Sequence, residues 1–163
     1  MNIPHFNTPL IEKATETPAT QLDVFSTLYP VTIDVPNRSN APAVEISTRF
    51  KKGEFFYLYG ITASYNGAGI TKADSPLLRM VDGHDRITLQ SGVSRFYKTE
   101  DEYYSVETAF SPGLATNQLK FITPFERVFM PESQLLFYVK SRGLNDVTLE
   151  ILLHGYAIRK VKV

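Results

Sequence analysis

Hydrophobic and polar positions alternate with a period of two along most of the chain after about residue 31. The clearest stretch is VTLEILLH (147–154), where one face carries Val147, Leu149, Ile151 and Leu153. Successive side chains of a strand point to opposite faces, so this stretch is predicted to be a strand with one buried face. A second stretch, LLFYV (135–139), is apolar on both faces. A strand of that kind lies centrally in a packed structure or against a second chain, and the large apolar area of the strand faces favours a second chain.

Short polar breaks separate the alternating segments and predict turns. The break SRGLND (141–146) is typical of a hairpin or a tight loop, because Gly tolerates positive φ and Asn and Asp bond their own backbone. Further turns are predicted at Asp82-Gly83, Ser91-Gly92, Ser111-Pro112-Gly113 and Thr123-Pro124. The other predicted strands are VTIDV (31–35), VEISTRF (44–50), EFFYLYGITASY (54–65), RITLQ (86–90), VSRFYK (93–98), YYSVETAF (103–110), NQLKFIT (117–123), FERVFM (125–130) and YAIRKVKV (156–163).

This spacing of strands and turns predicts an all-β fold, an antiparallel β-sandwich or a barrel. Evidence for helix is thin. Only TPATQLDVFSTLY (17–29) has helix-like spacing, with Leu22, Phe25 and Leu28 three residues apart.

Proline distinguishes the N-terminal part from the rest. Six of the 10 prolines lie in the first 42 residues, and no glycine precedes Gly53. This composition predicts a stiff, extended arm over residues 1–30, followed by a β-sandwich domain over 31–163. The arm could dock on a partner subunit, fold back on its own domain or form a disordered leader. The apolar residues expected to make its contacts are Ile3, Phe6, Leu10, Ile11, Phe25 and Tyr29.

An aromatic strand is the most unusual feature of the sandwich domain. Strict alternation through residues 54–65 places on one face Phe55, Tyr57, Tyr59, Ile61 and Tyr65. Tyrosine joins apolar area to a polar tip, which suits a partly wet interface, and the same rings could stack on sugars. A core strand whose tyrosine tips reach solvent is the other interpretation. The residues predicted to form a subunit interface are Tyr57, Tyr59 and Tyr65.

Composition narrows the classes of partner. Lys plus Arg and Asp plus Glu both total 17, which argues against a nucleic-acid binder because such proteins usually carry a basic excess. No apolar run approaches about 18 residues, so no membrane span is expected. The N-terminal residues lack a basic start followed by an apolar stretch, which predicts synthesis in a cytoplasm without a signal peptide. The chain has no cysteine, and hence no thiol chemistry.

Three clusters of polar residues are candidates for a metal-binding, phosphate-binding or catalytic site. VDGHDR (81–86) could hold a metal or an acid–base pair, but a polar turn is the favoured interpretation because zinc needs three or four suitably spaced ligands. YNGAGITKADS (65–75) lacks the spacing of a phosphate-binding loop, so a flexible loop is favoured. KTEDEYY (98–104) is interpreted as a solvated acidic tip. We therefore expect no catalytic residues, no metal, no cofactor and no enzymatic activity.

The closing stretch FERVFMPESQLLFYVKSRGLNDVTLEILLHGYAI (125–158) resembles the last strands of jelly-roll structural proteins of virions. The resemblance is strongest to decoration (cement) and auxiliary capsid proteins of tailed bacteriophages. It implies an eight-stranded jelly-roll-like sandwich and a homo-oligomer, with a trimer favoured. It also implies binding to the major capsid protein or other virion subunits, at the capsid surface, after synthesis in the host cytoplasm. A carbohydrate-binding or head-fibre adhesin module that uses the tyrosine face is the alternative function.

Overall fold

A computed structural model describes residues 6–37, 44–89, 103–107, 123–143 and 145–162. The elements that lie wholly within these residues are one α-helix, two 3₁₀ turns and nine strands. The helix is α1 (Thr8–Thr15), and the 3₁₀ turns are Ala19–Gln21 and Lys72–Asp74. The strands are β1 (Leu22–Val35), β2 (Val44–Arg49), β3 (Phe55–Asn66), β4 (Leu77–Asp82), β5 (Ile87–Thr88), β6 (Tyr104–Ser105), β7 (Thr123–Phe129), β8 (Gln134–Lys140) and β9 (Val147–Lys160).

The strands form two antiparallel sheets. The first sheet has the order β1-β9-β3-β7, and the second has the order β2-β8-β4-β5, with β6 also pairing β4. The pairs are nested: β1 pairs with β9, β2 with β8, β3 with β7, and β4 with β5 and β6. A long hairpin rolled so that successive strands alternate between two sheets gives this nesting, which is the jelly roll. The predicted antiparallel sandwich of jelly-roll type is confirmed.

The inner core lies between the two sheets, and the period-two pattern predicted its C-terminal part. All four predicted core residues of β9 are buried there, from Val147 to Leu153. The same holds for Leu135, Phe137 and Val139 of β8. Strand β8 lies between β2 and β4 in the second sheet; one of its faces is buried in the core, whereas Leu136 and Tyr138 on the other face are half-buried.

The connection from β8 to β9 is a crossover between sheets. The prediction of a hairpin at residues 141–146 is wrong, because β8 belongs to the second sheet and β9 to the first; the alternative of a tight loop fits. The side chain of Asn145 donates a hydrogen bond to the buried Asp74 carboxylate over 3.2 Å. Gly143 lies so close to Asp74 that a Cβ there would collide with the carboxylate. Asp74 thus ties this loop to the loop before β4.

Residues 8–35 form regular structure rather than an extended arm. Helix α1 begins after Asn7, whose side chain accepts a hydrogen bond from the Leu10 N–H over 3.2 Å, and ends at Glu16, which has a φ of 53°. Strand β1 pairs with β9 along its whole length. The helix-like spacing over 17–29 corresponds to a short 3₁₀ turn followed by β1, and the proposed boundary after residue 30 falls inside β1.

A second hydrophobic cluster covers the outer face of the first sheet; we call it the outer cluster. Ile11 of α1 is fully buried there, and Phe6 and Leu10 pack around it. The sheet contributes Leu22, Phe55, Tyr57, Tyr156 and Ile158. Of the three arrangements expected for the N-terminal segment, the described part shows the one in which it folds back on its own domain.

A β-bulge in β3 overturns the prediction that its aromatic residues share one face. The register of β3 shifts between Leu58 and Gly60 against both neighbouring strands. An extra residue in one strand reverses the alternation beyond it. Tyr57 and Tyr59 therefore join the outer cluster, whereas Ile61 and Tyr65 belong to the inner core.

Candidate interaction surface

The first half of β1 exposes unusually large apolar side chains at a sheet edge. Phe25 is 50% exposed and Leu28 is 54% exposed, and the one other exposed large apolar residue in the described part of the chain is Val161. Strand β1 ends the first sheet, so one of its edges has no neighbouring strand among the described residues. Residues 22–28 of β1 are called the edge strip below.

Backbone geometry shows which groups of the strip point away from the sheet. The Val161 N–H donates to the Gln21 carbonyl over 2.9 Å, and the register continues unbroken along β1. Hydrogen-bonded and non-hydrogen-bonded pairs alternate in an antiparallel ladder, so odd-numbered residues of β1 bond to β9. Even-numbered residues therefore direct their N–H and C=O groups outwards, although the Leu22 N–H already donates to the Ala19 carbonyl of the 3₁₀ turn. Pro30 is one of them, and it has no N–H to offer.

A groove of about 500 Å³ runs beside the start of the strip. One wall is formed by consecutive residues of β1, from Leu22 to Phe25. Since consecutive side chains point to opposite faces, the groove must follow the edge of the strand. The other wall comprises Phe6, Thr8, Ala19 and Thr20.

Polar contacts hold the surroundings of Phe25 in place. The Arg159 guanidinium lies 5.7 Å from the centre of the Phe25 ring. It also donates to Oε2 of the buried Glu54, from Nε over 2.9 Å and from Nη2 over 2.6 Å. The ion pair restrains Arg159 beside the ring, half of which remains exposed.

Of the interface residues predicted from the sequence, Phe25 alone is largely exposed among those that the structure describes. Phe6, Leu10 and Ile11 pack in the outer cluster, and Tyr29 packs edge-on against Phe50 and Phe56 of the inner core. Ile3 lies outside the described residues. Leu28 was not predicted as an interface residue. It lies two positions before Pro30, and a proline within an alternating strand is a signal that the strand lies at the edge of a sheet.

The tyrosines predicted to form an interface are largely enclosed by the chain itself. Tyr57 has no exposed surface, and the Phe6 ring packs edge-on against it at 6.1 Å. Burial and, to a smaller extent, the nearby Glu126 carboxylate raise the pKa of Tyr57 to about 12. Tyr65 is buried as well; burial raises its pKa, as does its 2.9 Å hydrogen bond to Glu107. Neither ring offers a face on which a sugar could stack.

The predicted polar turn at residues 81–86, where β4 ends, forms ion pairs with β7 of the opposite sheet. Arg127 of β7 donates from Nε to Asp82 over 2.7 Å and from Nη2 to Asp85 over 2.8 Å. The His84 N–H donates to the other oxygen of Asp82 over 2.9 Å. These contacts fit the polar-turn interpretation.

In the part of the chain that the structure describes, no group of three or more His, Cys, Asp or Glu side chains could hold a metal ion. No helix described is long and apolar enough to cross a membrane.

Comparisons with known proteins give only distant likenesses. No family model matches the chain, and neither does any curated protein. Among solved structures, the Drosophila NLP-core is 14% identical, with 82% of this chain and 98% of that chain covered and a TM-score of 0.37. The VP2 subviral particle of infectious bursal disease virus is 11% identical, with 90% and 39% covered and a TM-score of 0.35.

A third solved structure, the decameric BFDV capsid protein, is 7% identical, with 83% of this chain and 99% of that chain covered and a TM-score of 0.29. All three TM-scores are below 0.5, so none of these likenesses indicates what this chain does. The assignment to the jelly roll rests on the nested strand pairing alone.

Proposed function

We propose that this chain is a non-enzymatic structural protein of a virion and that it binds other virion subunits through the edge strip. The observation that carries this proposal is the combination of an open strand edge with the half-exposed side chains of Phe25 and Leu28. Proteins usually protect such edges, because unpaired backbone groups and apolar side chains invite association. An edge left open in this way is best explained as a contact surface.

The more specific form of the proposal is a decoration (cement) protein of a tailed bacteriophage. It would lie on the capsid surface, reinforce contacts of the major capsid protein and be made in the host cytoplasm. Its support is the resemblance of residues 125–158 to the closing strands of such proteins, together with a jelly-roll fold that capsid proteins often use. The same resemblance favours a trimer.

The geometry of the strip suits the addition of a strand. The outward N–H and C=O groups supply main-chain hydrogen bonds to an incoming segment, and side chains on both faces supply apolar contact. Phe25 and Leu28 have different parity, so they point to opposite faces of the first sheet. An added strand would meet one of these side chains on each face.

The test is co-sedimentation of the purified chain with empty shells assembled from the major capsid protein of the same virus. We expect the unaltered chain to sediment with the shells and Phe25→Lys to lose at least about tenfold in affinity, as expected when a central apolar contact is replaced by a charge. The matched control is Thr32→Lys, which places the same charge on the same strand beyond Pro30, opposite Glu150. Equal binding of both variants, or no binding by the unaltered chain, would contradict the proposal.

A further inference from the structure

We propose that the edge strip pairs with the edge strip of a second copy of this chain, antiparallel and centred on Phe25. The inference shares with the proposed function the role of the strip as a contact surface, but it does not depend on a virion. It names the occupant of the groove beside β1 and fixes the register of the contact.

The outward backbone groups restrict which residues can face one another. In an antiparallel pair, two facing residues exchange both hydrogen bonds only if both direct these groups towards the partner. Even-numbered residues must therefore face even-numbered residues. Centring on Phe25 satisfies this rule, since Leu22 then faces the partner's Leu28 and Val24 faces the partner's Ser26. Phe25 faces the partner's Phe25 as a non-hydrogen-bonded pair, in which side chains come closest.

Charge and proline disfavour the neighbouring registers. Centring on Asp23 would place the Asp23 carboxylates of the two copies opposite each other, and facing like charges destabilise a sheet. Centring on Thr27 would place Val24 opposite the partner's Pro30, which lacks the N–H that the pair needs. In the register centred on Phe25, Asp23 faces the partner's Thr27 and Pro30 lies beyond the paired residues.

Centring on an even residue is also unfavourable. With Ser26 at the centre, Leu22 would face the partner's Pro30. With Val24 at the centre, Leu28 would face the partner's Thr20, which precedes β1 and lies in a 3₁₀ turn. The register centred on Phe25 is thus the one that uses the whole strip without Pro30 and without facing carboxylates; each Leu22–Leu28 pair then forms one hydrogen bond instead of two, because the Leu22 N–H already donates to the Ala19 carbonyl.

The same register buries the apolar surface that each copy exposes. Arg159 already lies beside the Phe25 ring, and the partner's Phe25 would cover part of the surface that remains exposed. Leu28 would lie beside the partner's Leu22, which belongs to the outer cluster. The exposed leucine of each copy would extend the hydrophobic cluster of the other. The groove beside residues 22–25 provides room for the added strand.

The contact is two-fold symmetric and joins the first sheets of both copies into one continuous sheet. Each pair occupies both strips, so this contact gives an even number of chains and competes with any shell subunit that binds the same strip. It therefore predicts a different mass from the trimer that the virion resemblance favours.

The first test is light scattering after size exclusion of the full-length chain. We expect a mass of twice 18.4 kDa at high concentration, reduced to one chain by Phe25→Lys and unchanged by Thr32→Lys. A single-chain mass at all concentrations, or a mass of three chains, overturns the pairing.

The second test uses the absence of cysteine to report the register. In the variant Phe25→Cys the two Cα atoms would be about 4.5 Å apart, within reach of a disulfide. In Leu28→Cys, which introduces a thiol at a similarly exposed site, they would be about 20 Å apart. We expect oxidation to cross-link Phe25→Cys at least about tenfold faster, since pairing gives its thiols a high effective concentration. Equal rates would rule out this register.

The two proposals fail in different ways. A single-chain protein that still sediments with shells would overturn the pairing and leave the virion role standing. A two-chain protein that ignores the shells would overturn the virion role and leave the pairing standing.

Discussion

The two faces of the first sheet are covered by very different means. The inner face packs against a whole second sheet, and its cluster draws on strands from both. The outer face is covered by Phe6 and a helix of eight residues, with Ile11 as its one fully buried apolar side chain. An inner-core side chain is thus surrounded by strands that cannot move independently, whereas the outer cluster depends on a short helix held mainly by tertiary contact.

The difference shows what alternation along a strand can reveal. A period of two indicates that a face is buried, and it does not indicate what buries it. Strand β3 belongs to both clusters because the bulge between Leu58 and Gly60 reverses its alternation. One irregular position therefore decides which aromatic side chains meet the second sheet and which meet the helix.

The largest effect is expected in the inner core. Phe137→Ala removes a fully buried ring from the central strand of the second sheet and should cost about 3–5 kcal/mol of unfolding free energy. Chemical denaturation followed by tyrosine fluorescence would measure the loss.

The matched variant on the outer face is Ile11→Ala, which should cost about 2 kcal/mol, at the low end for a buried isoleucine, because a short helix can shift to fill the space. A loss equal to or larger than that of Phe137→Ala would show that the two clusters are equally rigid.

Gly155→Ala would disturb both faces at once. Gly155 faces Leu58 at the edge of the bulge, and a Cβ there would collide with the Tyr57 carbonyl and the Phe56 ring. Since the collision involves backbone, we expect a cost of about 3 kcal/mol, at the upper end for overpacking. Thermal unfolding would show it as a lower Tm. The control is Gly53→Ala, which has no heavy atom near its Cβ position and suffers only from its φ of 71°. Equal losses in both variants would contradict the collision.

The smallest expected effect is a pH dependence confined to the outer face. His154 accepts or donates a 2.9 Å hydrogen bond with Thr62, and burial lowers the pKa of its imidazole. In the unfolded chain His154 takes up a proton near pH 6.5. In the folded chain the lower pKa of His154 means that it is protonated only at a lower pH. Stability is therefore full above pH 6.5 and falls as the pH drops from there towards the folded pKa.

The measurement is the Tm at pH 7.5 and pH 5.5, for the unaltered chain and for His154→Gln. We expect the variant to lose less stability on acidification than the unaltered chain does. An identical fall in both would assign the pH dependence to other groups.

The sequence was most informative for uninterrupted strands that have one face buried between the two sheets. Leu149 and Phe137 could be placed in the core from alternation alone, since β8 and β9 run without interruption. The bulge in β3 was missed, although an isolated Gly60 within an apolar strand is a known indication of one. Helix α1 was missed as well, despite Asn7 and Pro9 at its start, because eight residues give too short a periodic pattern.

The interaction surface was harder to predict, for a physical reason. Phe25 was predicted as a contact residue of an arm, whereas its place at a sheet edge and the exposure of Leu28 follow from the order of strands in the sheet. Which strand lies at an edge depends on pairing between residues more than a hundred positions apart, such as Leu22 with Lys160. Local alternation carries no information about such pairing.

That pairing of β1 with β9 also bears on how the chain is made. The jelly roll closes only when β9 meets β1, so the first sheet cannot be completed until the residues of β9 have left the ribosome. Contacts so distant in sequence form slowly, and nascent β1 lacks its partner strand in the meantime. A chain built in this order depends on β9 to shield β1, which makes termination before β9 especially hazardous for this fold.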